Sequence, residues 1–215
     1  MTAKHRYVFL GPQGSGKGTQ AEFLAHYLRI PHISTGELFR AAVAKRTPLG
    51  QRISAALSSG KLMSDDDTNA VVAERISQPD AGQGYILDGY PRTMAQVTFL
   101  EKLAAPSLII LLELPDKEAV RRLGGRRICR LCGTMYHLEY QSPREVNHCD
   151  HCGGNLERRQ DDEEVAIRER LRLYHLATEP LVEFYAKSGR LLRVDGHPSI
   201  PDVSANLKRA LNLTS

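Results

Sequence analysis

The chain has no tryptophan, 6% aromatic residues and only four cysteines, all between Cys129 and Cys152. So few aromatics weigh against a stacking surface for single-stranded nucleic acid. Cysteines confined to one stretch point to a metal site rather than a disulfide framework. Long apolar runs are also missing. The longest, Leu108 to Leu112, carried past Glu113 by Leu114, falls far short of the ~20 residues that span a bilayer. Residues Met1 to Tyr7 hold no apolar stretch of signal-peptide length, so a cytoplasmic protein is expected. Charge of one sign is not in large excess. Lys and Arg number 29 against 25 Asp and Glu, a net charge of +4, which suits an anionic ligand without arguing for nucleic acid. No internal repeat or low-complexity tract occurs. What remains is a globular balance, 41% hydrophobic and 25% charged over 215 residues: one compact domain with room for an inserted piece.

Short apolar runs read as buried strands at residues 6–10, 85–87, 107–114 and 191–194, with a weak fifth at His32–Ser34. Helical patterns separate them. One spans Thr19 to Leu28, one follows a Ser34 or Thr35 cap, one runs from Gln51 to Leu57 and is ended by Gly60, and one covers Asp65 to Ser77. Asp65, Asp66 and Asp67 sit at the positive end of the last. Thr47-Pro48-Leu49-Gly50 reads as a loop, and helix returns over 161–186. Strands alternating with helices predict an α/β fold, a parallel sheet covered on both faces.

Residues 11–20, Gly-Pro-Gln-Gly-Ser-Gly-Lys-Gly-Thr-Gln, join the first strand to the first helix. Glycines there let backbone N–H groups converge on a phosphate, and the helix N-terminus adds partial positive charge. Lys17 sets a full charge against the β- and γ-phosphates. In the usual phosphate loop a Ser or Thr follows the lysine at once; here Gly18 intervenes before Thr19, displacing the hydroxyl by one position. Asp88, at the end of the second clear strand, is placed to hold Mg²⁺ through water, or to cap the turn before Gly89.

The segment 126–159 breaks the alternation. Cys129-x₂-Cys132 and Cys149-x₂-Cys152, 16 residues apart, have the spacing of a tetrahedral zinc ribbon. Gly133 and Gly153 follow each pair, where a knuckle turns sharply; His148 and His151 are alternative ligands. Four thiolates close the shell, so the expected Zn²⁺ is structural and holds together a piece too small for its own core.

Residues 11–20, Ile33-Ser34-Thr35-Gly36-Glu37, Leu87-Asp88-Gly89-Tyr90-Pro91-Arg92-Thr93, Gly125-Arg126-Arg127 and Arg159-Gln160-Asp161-Asp162 together resemble the adenylate kinase family, in its long-lid bacterial type. The likeness runs from about Tyr7 to Val203, nearly the whole chain. It implies a P-loop NTPase-like five-stranded parallel sheet, made of 1–33, 64–124 and 163–215, with inserts at 34–63 over AMP and at 125–162, the zinc-bearing lid, over ATP. It implies ATP contacts from Gly14, Ser15, Gly16, Lys17, Gly18, Thr19, Arg126, Met135, Tyr136 and Pro198. AMP contacts are implied from Thr35, Arg40, Lys61, Leu62, Met63, Gly89, Tyr90, Pro91, Arg92, Gln96, Arg159 and Arg170. Gln96 would bond adenine through its amide, and Thr35 is similar to the family's adenine-selecting threonine. Tyr136 and His137 would otherwise pack the lid. Asp161 and Asp162 would pair with arginines at the return hinge, or cap a helix. A monomer is the family expectation.

The chemistry expected is ATP-to-AMP phosphoryl transfer giving two ADP. A phosphate acceptor, with its second pKa near ~6, is already ionised at pH 7 and needs no general base. Lys17, Arg92, Arg122, Arg126, Arg159, Arg170 and Mg²⁺ would align two polyanions and spread the developing charge. His5, His26, His32, His175 and His197 therefore read as surface or packing residues. A kinase of the same fold acting on UMP, CMP or GMP is the first rival; Thr35, Gln96 and the long zinc lid argue against it. A zinc-ribbon nucleic-acid-binding P-loop ATPase is the second; the absence of a basic–aromatic stripe argues against it.

Overall fold

A computed structural model describes residues 5–58 and 63–213 of the chain. The sheet consists of β1 (His5–Leu10), β2 (His32–Ser34), β3 (Gly84–Asp88), β4 (Leu108–Glu113) and, last in the chain, Leu191–Asp195. That last strand is β8, because three short strands intervene. The spatial order is β2-β3-β1-β4-β8, and every pairing is parallel. The strands are apolar because both faces are covered, and their period of two sorts the side chains. Val8, Leu10, Leu87, Ile109 and Leu111 face one layer, where Leu100, Leu181 and Tyr185 meet them. Phe9, Ile86, Ile110 and Leu112 face the other, against Ala21, Leu24, Val203 and Leu207.

The helices are α1 (Lys17–Leu28), α2 (Thr35–Ala44), α3 (Pro48–Ser58), α4 (Asp65–Ile76), α5 (Met94–Ala104), α6 (Asp116–Gly125), α7 (Glu164–Leu173), α8 (Pro180–Lys187) and α9 (Ile200–Ala210). Ser64 and Thr93 cap α4 and α5 by accepting from the N–H three residues on. Among the described residues no helix is long and apolar enough to cross a membrane.

The structure corrects three local expectations. Thr47–Gly50 is not a loop: Pro48 opens α3, with φ already suited to a first helical turn, and Thr47 Oγ1 accepts from the Gly50 N–H at 3.1 Å. Neither Ser34 nor Thr35 caps α2 with its side chain; the Thr35 hydroxyl donates instead to the Gly89 carbonyl at 2.9 Å. The helix expected over 161–186 is broken into a 3₁₀ turn (Gln160–Asp162), α7, a π turn (Tyr174–Thr178) and α8. Gly60, read as a helix stop, lies outside the described residues.

Between α6 and α7 the chain makes a separate antiparallel sheet of β5 (Arg126–Cys129), β6 (Met135–His137) and β7 (Leu156–Glu157), in the order β6-β5-β7. It leaves the body directly from the end of α6. His137 fastens that exit: its Nδ1 accepts from the N–H groups of Glu139 and Tyr140, so its Nε2–H donates to the Arg122 carbonyl at 2.9 Å.

Candidate active site

A cavity of about 760 Å³ opens at the carboxyl ends of the parallel strands. In open α/β sheets that edge is where ligands bind. One wall is the loop between β1 and α1. Gly16, left-handed at φ 91°, precedes α1, and Lys17 is its first residue, so helix charge and side-chain charge enter the cavity together. Lys17 Nζ donates to the Pro12 carbonyl at 2.7 Å. Burial lowers its pKa to about 8, against the pull of Asp88 in the other direction; Arg92, Arg170 and Arg126 add to the lowering. Such an ammonium is short of countercharge, and an anionic ligand would supply it.

Asp88 ends β3 beside this loop, paired in register with Phe9 on one side and Ser34 on the other. A Cβ at Gly18 would lie 3.3 Å from Asp88 Oδ2. The residue after the lysine is therefore glycine where the carboxylate comes close. Burial works to raise the Asp88 pKa, but His32, Lys17 and Arg92 outweigh it and hold the carboxyl below its ordinary range. His32 Nε2 stands 3.7 Å from Asp88 Oδ2, so this histidine is not a mere packing residue. The chain then turns through Gly89 and the cis Tyr90–Pro91 bond. A side chain at Gly89 (φ 77°) would strike Arg92 Nη2 at 2.8 Å and Thr35 Oγ1 at 3.0 Å. Its absence lets Arg92 fold back, with Nε donating to the Gly89 carbonyl at 2.7 Å.

Six arginines line the same cavity: Arg40, Arg92, Arg122, Arg126, Arg159 and Arg170. Burial lowers the pKa of Arg40 and of Arg170 to about 10 each, and pushes Arg92 down as well. Two carboxylates hold part of this charge. Asp162, fully buried, accepts from Arg126 through both oxygens and from Arg170 Nη1 at 3.3 Å. Asp161 accepts from Arg159 Nε at 2.9 Å and Nη2 at 2.6 Å, and lies 3.3 Å from Arg170. Of the two readings of these aspartates, ion pairing is what the side chains do; no side chain caps α7. Arg122 is held apart by Glu118 and by the carbonyls of Gly196 and His197.

In the antiparallel sheet the four cysteine Sγ atoms lie within 4.8 Å of one another, the nearest pairs at 3.4 and 3.5 Å. Ligands at ~2.3 Å around a tetrahedral Zn²⁺ stand about 3.8 Å apart, so the donor set fits that ion. The two knuckles are built alike. Gly133 N–H donates to Cys129 O and Gly153 N–H to Cys149 O, and both glycines have positive φ. His148 turns instead to the Val146 carbonyl. Beside the thiols Tyr136 is buried, its hydroxyl accepting from the Asp150 N–H at 2.7 Å, while its residue also forms part of the cavity wall.

The chain matches the model of the adenylate kinase family over residues 9–190. The adenylate kinase of Symbiobacterium thermophilum is 44% identical over 209 residues, 95% of this chain and 97% of its own. That of Archaeoglobus fulgidus is 44% identical over 209 residues, and that of Treponema denticola 43% over 201, each covering at least 94% of both chains. The chain belongs to the adenylate kinase family. Its P-loop sheet and four-cysteine lid cluster agree with the long-lid type.

Against the residues that the adenylate kinase resemblance implied, the cavity gathers Gly14, Gly16, Lys17, Gly18, Thr19, Arg40, Asp88, Gly89, Arg92, Arg122, Arg126, Met135, Tyr136, Arg159, Arg170 and Pro198. It does not gather Ser15, Thr35, Met63, Tyr90, Pro91 or Gln96 into its wall. Ser15, Thr35, Tyr90 and Gln96 are buried behind it. Lys61 and Leu62 lie outside the described residues. The sequence reading missed Phe23, which is 46% exposed and lines the cavity from α1, and also Tyr140 and Gln141. It set aside His197, whose residue lines the cavity mouth and whose carbonyl holds Arg122. An exposed aromatic on an otherwise regular helix was the available signal for Phe23.

Proposed function

We propose that this chain catalyses reversible phosphoryl transfer from ATP to AMP, giving two ADP. The observation that carries the reading is one cavity walled by Lys17, a helix N-terminus and six arginines, with Glu37 and Asp88 its only lining carboxylates among the described residues. So much convergent positive charge suits a pair of polyphosphates set tail to tail. Gly14 to Thr19, Arg126, Met135, Tyr136 and Pro198 take ATP. Arg40, Arg92, Arg159 and Arg170 take the AMP phosphate, with Gly89, Tyr90, Pro91, Thr35 and Gln96 on the nucleoside side, together with Lys61, Leu62 and Met63. Asp88 would hold the Mg²⁺ that accompanies the nucleotide, and the ion would supply positive charge against the phosphates.

No side chain removes a proton, since the acceptor oxygen is already anionic. Lys17 and the arginines hold donor and acceptor in line and receive the charge that moves between them. Nucleotide phosphates replace Asp161 and Asp162 as partners of Arg126, Arg159 and Arg170. Segments 34–63 and 125–162 are the inserts that close over AMP and ATP, on a core of 1–33, 64–124 and 163–215. Closure excludes water, which would otherwise accept the phosphoryl group. Cys129, Cys132, Cys149 and Cys152 hold Zn²⁺, which stabilises the lid. The protein acts as a cytoplasmic monomer with no nucleic-acid or membrane partner.

The test is ADP formation from ATP with AMP, CMP, UMP or GMP as acceptor, with and without Mg²⁺. Turnover with AMP should exceed the others by orders of magnitude and need Mg²⁺. Equal turnover with CMP or UMP would sink the adenine assignment.

A further inference from the structure

Both polar atoms of the Gln96 amide are held from the protein side. Gln96 lies in the first turn of α5, 2% exposed. Its Oε1 accepts from the Arg92 N–H at 2.7 Å, and its Nε2 donates to Asp65 Oδ1 at 2.7 Å. The same Asp65 oxygen accepts from the Thr93 hydroxyl at 2.9 Å. Thr93 in turn caps α5 by accepting from the Gln96 N–H at 3.2 Å. Asp65, the first residue of α4, thus reaches across to the start of α5.

A primary amide has two donor hydrogens on nitrogen and two lone pairs on oxygen. The Arg92 and Asp65 bonds use one of each, leaving one donor and one acceptor of the amide. Rotating the amide by half a turn would bring Nε2 against the Arg92 N–H and Oε1 against the Asp65 carboxylate. Donor would then face donor and acceptor face acceptor. Only one orientation survives.

We infer that Asp65 is a positioning residue for the choice of acceptor base: together with the Arg92 N–H, its carboxylate locks the polarity of the Gln96 amide. This rests on the reading above in which Gln96 meets that base. A 6-aminopurine presents an amino donor beside a ring-nitrogen acceptor. A 6-oxopurine presents a carbonyl acceptor beside a ring N–H donor. The two edges have opposite polarity, so a locked amide pairs with one and opposes the other. Without the Asp65 carboxylate only the Arg92 N–H opposes the turned amide, so the reversed orientation costs less and the 6-oxopurine is accepted more readily. Asp65 accordingly works on discrimination and on acceptor binding, and not on the transfer step.

The experiment measures initial rates with ATP and either AMP or IMP, for the full chain and for Asp65→Ala, Asp65→Asn and Gln96→Leu. Asp65→Ala should raise KM for AMP about tenfold with kcat within about twofold, and lower the AMP-over-IMP ratio of kcat/KM about tenfold. Asp65→Asn, whose amide oxygen takes the place of Oδ1, should keep that ratio within about threefold. If Asp65→Ala does not fold by circular dichroism, Asp65→Ser replaces it; serine suits a helix start but is too short to reach Nε2. An equal fall for both acceptors, leaving the ratio intact, overturns the inference and makes Asp65 a helix tie alone. A Gln96→Leu variant with unchanged KM for AMP overturns the underlying contact with the base as well. An altered Gln96→Leu beside an unaltered Asp65→Ala overturns only the inference.

Discussion

Replacing Asp162 with asparagine removes a buried negative charge from the centre of the arginine cluster. Its carboxylate is fully buried and accepts two bonds from Arg126, whose side chain is 20% exposed, and one from Arg170, 14% exposed. Breaking a buried pair by removing one partner costs about 3–5 kcal/mol, because the other charge stays buried without compensation. Asp161 remains within 3.3 Å of Arg170, so the lower end applies here, about 3 kcal/mol. In a chain of this length that corresponds to a fall in Tm of roughly 6–12 °C. A ligand that brings its own negative charge reverses the loss. A two-substrate analogue, two adenosines joined through a polyphosphate, should therefore raise the Tm of Asp162→Asn by more than it raises that of the unaltered protein. The assay is thermal unfolding followed by circular dichroism, with and without the analogue. A variant that melts within about 2 °C of the unaltered protein and gains no more from the analogue would refute the idea that Asp162 stands in for substrate phosphate.

Four further outcomes follow from the same structure. Lys17→Met should abolish turnover by about three orders of magnitude while leaving Tm unchanged or higher, since a buried ammonium is replaced by an apolar chain of similar length; a fall in Tm on unfolding scans would count against it. Because Lys17 in the free protein loses its proton near pH 8, kcat/KM for ATP should decline above that pH while saturated kcat persists further, a contrast read from a pH–rate profile. Cys129→Ser, or removal of the metal by a chelator, should lower thermal stability far more than turnover at moderate temperature; immediate loss of chemistry with the lid still ordered by hydrogen exchange would make the site catalytic. His175 bonds Glu179 through Nδ1 at 2.8 Å and Asp116 through Nε2 at 2.9 Å, and these partners raise its pKa. A raised pKa in the folded state means a contribution fully present below about pH 6.5 that fades as pH rises through the raised value. His175→Gln should cost up to about 1 kcal/mol at pH 6 and nothing measurable at pH 9, the ring being largely exposed; an equal cost at both pH values by urea titration would dismiss the charged bridge.

Features made by neighbours in sequence were legible without coordinates. The phosphate loop needs only residues 11–20 and the strand and helix that flank them, and each Cys-x₂-Cys knuckle closes on itself through bonds such as Gly133 N–H to Cys129 O. The alternation of apolar runs with helices likewise fixed a parallel sheet, because the apolar face has to be buried whichever strands become neighbours. Local errors arose where a residue had two uses. The Thr35 hydroxyl served Gly89, over 50 positions away, rather than its own helix, and Pro48 opened a helix where it was read as part of a loop.

What pattern alone left undecided was which distant groups share one small volume. Arg126 and Asp162 are 36 residues apart, Gln96 and Asp65 31, and His175 and Asp116 59. No periodicity encodes such pairs; they exist because the β-strand ends and helix termini are packed against one another. The sequence by itself supplied the charges, the glycines and the thiols, since these are covalent facts. The folded structure decided which charges face each other, because Coulomb and hydrogen-bond energies depend on separation in space and not along the chain.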